Sequence, residues 1–89
     1  KLSALEIEAT LLEHPSVSEV AVIGVPDDEW GEIVAAAIVL DTPTEEAALI
    51  AFSREKMSGY KVPRKWVVTD ALPRNALGKV TKPALRTWF

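Results

Sequence analysis

The sequence predicts one α+β domain over residues 1–89, a small mostly antiparallel sheet of about three strands packed with helices in the order α-β-β-α-β-α. Three observations predict it. Two runs of branched apolar residues, Val17–Val25 and Ile33–Leu40, are joined by the short connection "PDDEWG", which suits an antiparallel pair. Helix-start chemistry recurs before, between and after the apolar runs, and 89 residues make one small domain that can bury enough surface to fold alone but has little room for an enclosed active site.

Ser3 and Glu6 in "SALE" form a capping box, in which the Ser hydroxyl and the Glu carboxylate each accept a backbone N–H. Leu5, Ala9 and Leu12 then fall on one face, and Pro15 stops the helix at His14, giving a first helix over about 4 to 13. Val17–Val25 is a strand ending in the turn composition Pro26-Asp27-Asp28. Ile33–Leu40 is apolar on both faces, so it is expected to be central and covered by helices. Thr42-Pro43-Thr44-Glu45 repeats the capping pattern with proline at the first helical position; the second helix extends to about Ser58, and Gly59 supplies a left-handed exit. Trp66, Val67 and Val68 form a short third strand behind Pro63. "DALPRNALGK" is a loop, after which Thr81 caps a final helix from near Pro83.

Composition narrows the function classes. With 48% hydrophobic and 26% charged residues and no repeat or low-complexity tract, the chain is an ordinary globular one. Ile33–Leu40 is far too short to cross a bilayer, and the N-terminus lacks a signal-peptide layout, so neither membrane insertion nor export is expected. The absence of cysteine excludes disulfides, thiolate zinc sites and a cysteine nucleophile, and mildly favours a reducing compartment. Because the chain begins with Lys1 and stops at Trp88-Phe89 inside an apparent helix, it is expected to be a domain cut from a longer protein.

Charge is unevenly distributed. Residues 1–50 hold eleven acids and one base, residues 51–89 nine bases and two acids. The C-terminal half is therefore a candidate cationic surface, either a solvated basic face or one that meets a small anionic ligand. A nucleic-acid face is disfavoured, because the acidic half would repel phosphates and no aromatic-basic motif is present.

Individual residues permit little self-contained chemistry. His14 is the single histidine, too few for a relay or a metal cluster, and reads as structural. Asp27, Asp28 and Glu29 are consecutive and read as a solvated turn rather than a metal site; Trp30 reads as packing and Gly31 as backbone freedom. Gly78-Lys79 invites comparison with the phosphate loop G-x-x-x-x-G-K-[ST], but Pro73 stands at the first glycine and Val80 at the hydroxyl position. Without the nest and the magnesium ligand, a lysine remains on a loop made mobile by Gly78, able to be presented to something else.

Four stretches together are specific: "KLSALEIE" at 1–8, "VAVIGVPDDEWGE" at 20–32, "YKVP" at 60–63 and "LPRNALGKVTK" at 72–82. In this order they resemble the C-terminal domain of the acyl-activating, adenylate-forming enzymes, which include acyl-CoA synthetases, nonribosomal adenylation domains and firefly luciferase. The wording of the first and last is most similar to the malonyl-CoA synthetase branch. The resemblance implies an acid-thiol ligase in which a large N-terminal domain binds ATP, its Mg2+ and the acid, while this domain closes as a lid. It implies that Lys79, on the loop Pro73 to Lys79 with Gly78 before it, supplies the catalytic ammonium. It further implies that the domain rotates to admit CoA, with Tyr60 against the adenine and Arg64 on the phosphates, although Val62 stands where related ligases can carry arginine. Core packing is the alternative role for Tyr60.

Lys1 and Leu2 resemble the residues just beyond the hinge. By the same resemblance Lys79 is a target for a lysine acetyltransferase and deacetylase, the partners are the protein's own N-terminal domain and CoA, and the compartment is the cytoplasm or the mitochondrial matrix. The fragment alone is expected to be inactive and to bind no cofactor. Two other readings are a non-catalytic α+β docking module and a lid serving a carrier-protein thiol.

Overall fold

The most apolar segment of the chain lies in the middle of the sheet. In the computed structural model, which describes residues 3–89, the elements are α1 (Ala4–Leu11), β1 (Val17–Asp27), β2 (Gly31–Leu40), α2 (Glu46–Lys56), β3 (Lys65–Val68) and α3 (Lys82–Leu85). Single 3-10 turns follow at Gly59–Lys61 and Arg86–Trp88. The strand order is β1-β2-β3. β1 and β2 form a hairpin ladder along most of their length, and β3 adds in parallel to β2, Ala35–Ile38 against Lys65–Val68. The sheet is thus mixed. The parallel edge follows from α2, which carries the chain back along the sheet before β3 begins, as a parallel neighbour requires.

Strand alternation sends the apolar residues of β1 and β2 to two opposite cores. One face, with Ala21, Ile23, Ala35 and Ala37, is covered by Leu72 and Leu85 and edged by Val80, Trp88 and Phe89. The other, with Val22, Val34, Ala36 and Ile38, is covered by Ile7 and Leu11 of α1 and Leu49 of α2. β2 is accordingly buried on both faces from Ile33 to Val39, as its unbroken apolar run requires. Ser53, the one buried polar side chain among the described residues, donates to the Leu49 carbonyl at 2.8 Å and is satisfied.

Three local expectations are corrected. The buried stripe of α1 is Ile7 and Leu11, with Ala4 beside it, whereas Leu5 and Leu12 are exposed. Two apolar stripes compete in "ALEIEATLL", and the sheet takes the one that also lets Glu8 reach β1: Glu8 Oε2 accepts the Val22 N–H at 2.8 Å. The second helix starts at Glu46 after Glu45, leaving Pro43 outside it, because the threonine hydroxyls are spent on the turn. Thr42 bonds Asp41 Oδ1 and Thr44 bonds the Thr42 carbonyl. Finally, α2 exits through an extended Met57 (φ −135°, ψ 156°), so Gly59 opens a 3-10 turn instead of supplying a left-handed residue. At the first cap, Ser3 Oγ accepts the Glu6 N–H at 3.3 Å as expected, while the Glu6 carboxylate lies 3.9 Å from Lys61.

Candidate functional site

Lys79 ends a tight turn that closes on itself. Asn75 begins the turn and Gly78 sits three residues later with φ 83°, the left-handed conformation glycine adopts without strain. The Gly78 N–H donates to the Asn75 carbonyl at 2.9 Å, while Leu77 and Lys79 both donate their N–H groups to Asn75 Oδ1, at 2.9 and 3.0 Å. The Asn75 N–H returns a bond to the Lys79 carbonyl at 2.9 Å. Outside the turn, Arg74 bridges to Val80 and the Thr81 N–H donates to the Pro73 carbonyl at 2.9 Å. Gly78 is therefore a conformational requirement of this hydrogen-bonded turn.

The same bonds bear on phosphate binding. The N–H groups of Leu77, Gly78 and Lys79 are all occupied by Asn75, so the turn has no donor nest, in line with the missing glycine at Pro73. What the turn offers is a side chain. Lys79 is exposed beside Leu77, which is 91% exposed at the tip, and no carboxylate pairs with Lys79 among the described residues.

Tyr60 and Arg64 lie between α2 and β3. The Arg64 N–H donates to the Val34 carbonyl at 2.9 Å, and its guanidinium stacks 4.7 Å from the ring centre of Trp30, in the β1–β2 turn. Tyr60, in the 3-10 turn, is 63% exposed, with the Lys61 ammonium 5.9 Å from its ring centre. Core packing of Tyr60 is excluded, and Trp30 packs on Arg64 at the surface rather than in the core. A shallow depression of about 420 Å³ lies beside them, lined by Ile50, Arg54, Gly59, Val62, Pro63 and Arg64. The Lys79 turn is tied to Glu19 near the start of β1, whereas the Arg64 backbone bonds Val34, the partner of Gly24, and its guanidinium reaches Trp30 in the β1–β2 turn. Lys79 and Arg64 are not brought together: the turn of the first is tied near the start of β1, and the side chain of the second reaches the β1–β2 turn. The expectation for Lys1 lies outside the described residues.

The acid–base asymmetry of the sequence is partly internal pairing. The four ion pairs among the described residues, Lys56–Glu13, Lys61–Glu6, Arg74–Glu19 and Lys82–Glu8, each join a base of the C-terminal half to an acid of the N-terminal half. This leaves Arg54, Arg64, Lys65, Lys79 and Arg86 as cations without a carboxylate partner there, a smaller cationic surface than the sequence suggested. His14 is structural: its Nδ1 accepts the Ser16 N–H at 3.0 Å and its ring meets Phe52 edge-on at 5.0 Å. Asp27 Oδ2 accepts the N–H groups of Glu29 and Trp30, fixing the acidic residues as a turn, and no group of three or more metal-ligating side chains gathers among the described residues. No helix there is long and apolar enough to cross a membrane.

Asn75, Arg74 and Glu19 are the site residues that sequence reasoning missed. Asn75 had a signal, asparagine at the first and glycine at the fourth position of a turn. The 55-residue separation of Glu19 and Arg74 gave none.

Comparison with known proteins agrees with this geometry. The family described as the AMP-binding enzyme C-terminal domain matches residues 6–79. The malonate–CoA ligase of Arabidopsis thaliana is 40% identical over 97% of this chain, and the long-chain-fatty-acid–CoA ligase FadD13 of Mycobacterium tuberculosis is 44% identical over 94% of it. The chain spans 16% and 17% of the lengths of these two relatives. Among solved structures, ATP-bound MatB from Rhodopseudomonas palustris superposes with a TM-score of 0.92 at 37% identity, over 98% of this chain and 18% of that one. With the match covering most of its length and the lysine turn lying inside it, the chain belongs to the AMP-binding enzyme C-terminal domain family.

Proposed function

We propose that this chain is the lid domain of an AMP-forming acyl-CoA synthetase and that Lys79 supplies the ammonium for its first half-reaction. The observation that carries the reading is the presentation of Lys79: exposed, without a carboxylate partner among the described residues, and held on a hydrogen-bonded turn that projects from the sheet. A carboxylate oxygen attacks the α-phosphorus of ATP, the α–β bridging bond breaks, and pyrophosphate leaves with its electrons. Two anions must meet in that step. A compact ammonium with three donors can span the acyl oxygen and the α-phosphate and neutralise both in a site the lid has closed to water. ATP and its Mg2+ would be held by a larger N-terminal domain, because the Lys79 turn offers no nest and the acidic turn at Asp27 is spent on its own backbone.

In the second half-reaction the CoA sulfur attacks the acyl carbonyl and AMP departs. The segment between α2 and β3 suits this step. Tyr60 offers an exposed aromatic face to an adenine, and Arg64, with Arg54 across the depression, offers positive charge to phosphates. Separation of the Lys79 turn from Arg64 favours a rotation that withdraws Lys79 as it brings Tyr60 and Arg64 in. The exposed aromatic ring and the two arginines there favour CoA over a carrier-protein thiol. The acid is a carboxylic acid whose identity the N-terminal domain sets; the malonate–CoA ligase among the relatives supports malonate, whereas FadD13 is named for long-chain fatty acids. Measuring acyl-adenylate formation and thioester formation separately in the full-length protein tests the reading. Lys79→Ala is expected to cut the first by over about a hundredfold and to spare the second.

A further inference from the structure

We infer that Glu19 and Arg74 form a positioning latch that aims the Lys79 turn. The inference rests on the reading of Lys79 as the adenylation ammonium and adds two residues to it. One Arg74 guanidinium makes two short bonds in different directions: Nη1 donates to the Gly78 carbonyl at 2.7 Å and Nη2 to Glu19 Oε1 at 2.7 Å. The first bond grips the turn at the residue immediately before Lys79. The second ties that grip to β1, 55 residues away in sequence. A planar guanidinium transmits orientation between its two partners, which a single rotating ammonium would not do.

The β1 backbone is irregular just before Glu19. The β1–β2 register shifts between Val17 and Glu19, and Ser18 Oγ donates to the Val39 carbonyl at 3.1 Å within the irregularity. Beyond the irregularity Glu19 pairs regularly with Val39 and alternates with Ala21 and Ile23, which puts it on the sheet face that Leu72 and Val80 pack against, next to Arg74. The work is divided. Asn75 closes the turn internally, through its contacts to Leu77, Gly78 and Lys79, so the turn keeps its shape without Arg74. The Glu19–Arg74 pair is half-exposed, at 42% and 43%, and surface pairs of this kind contribute little to stability. Its effect is on where the turn points relative to the sheet, hence on where the ammonium arrives when the lid closes.

The test uses the full-length enzyme and four variants: Glu19→Ala, Arg74→Ala, the double variant, and Glu19→Gln. Each alanine variant is expected to slow acyl-adenylate formation on the order of tenfold to a hundredfold, the scale of a misplaced catalytic group. Thioester formation from supplied acyl-adenylate and the melting temperature should stay at the parent values. The double variant should be no slower than Arg74→Ala, because Glu19 acts through Arg74. Glu19→Gln, which keeps an oxygen for Nη2, should restore most of the lost rate. If Lys79→Ala abolishes adenylation while both alanine variants stay within about twofold of the parent, the latch is refuted and the role of Lys79 stands. Equal loss in both half-reactions, with a lowered melting temperature, refutes the latch by making the pair merely structural. If Lys79→Ala itself adenylates at the parent rate, the reading of Lys79 is refuted and the latch with it.

Discussion

Asn75 Oδ1 accepts the Lys79 N–H at 3.0 Å, so a side chain four residues earlier fixes the backbone of the residue proposed to carry the chemistry. The same oxygen takes the Leu77 N–H at 2.9 Å, which makes Asn75 the centre of the turn and Lys79 its product. Replacing Asn75 by alanine is expected to free both N–H groups to water and to let the turn sample other shapes. Adenylate formation in the full-length enzyme should fall by roughly tenfold or more through misplacement of the ammonium. Asn75→Asp, which keeps the acceptor, should fall less, and stopped-flow measurement of pyrophosphate release would separate the two.

Gly78 stands at φ 83°, and a Cβ placed on it would meet nothing within 4 Å. The cost of Gly78→Ala is therefore one of backbone conformation alone, about 1–2 kcal/mol. Thermal or urea unfolding of the domain should show at most that loss, and a much larger one would mean that the turn is packed against something. Gly24 is the contrasting case, since a Cβ there would meet the Glu32 carboxylate at 2.6 Å.

The segment between α2 and β3 should matter to the other half-reaction. Tyr60→Ala and Arg64→Ala are expected to raise KM for CoA several-fold while leaving pyrophosphate release unchanged, since one aromatic or cationic contact to a nucleotide is worth about 1 kcal/mol. Trp30→Ala should give a smaller effect in the same direction, because the indole supports the Arg64 guanidinium from 4.7 Å away. Steady-state kinetics with varied CoA would decide it.

Stability is concentrated in β2. Ile38 has no exposed surface and lies in the core beneath α1 and α2. Ile38→Ala should destabilise the domain by about 2–5 kcal/mol, enough to unfold a domain of this size near physiological temperature, whereas Leu5→Ala on the exposed face of α1 should be within about 0.5 kcal/mol of neutral. Denaturant unfolding of the two variants side by side tests the corrected face of α1.

Most of the fold was legible because its signals are local or periodic. The run Ile33–Leu40 is apolar at every position and reads as an interior strand, and the "PDDEWG" connection is short enough to turn back on itself, as both do. The helix details were less legible, for reasons visible in particular residues. In α1, Leu5 and Leu12 compete with Ile7 and Leu11 for the sheet, and the choice rests on a tertiary bond from Glu8 to Val22 that no helical period encodes. Gly59 looks like a helix exit, yet Met57 already leaves the helix in an extended conformation. At the proposed site, the exposed position of Lys79 on a loop was legible beside Gly78, its proposed role came from the family resemblance, and Asn75 could have been read from turn chemistry. The Glu19–Arg74 bond depends on the whole fold and could not.

The most direct measurement is the rate of acyl-adenylate formation by the full-length protein with Lys79→Ala, followed by thioester formation from chemically prepared acyl-adenylate. The account predicts that the first falls by more than about a hundredfold while the second stays near the parent rate. Parent-rate adenylation by the variant would contradict it.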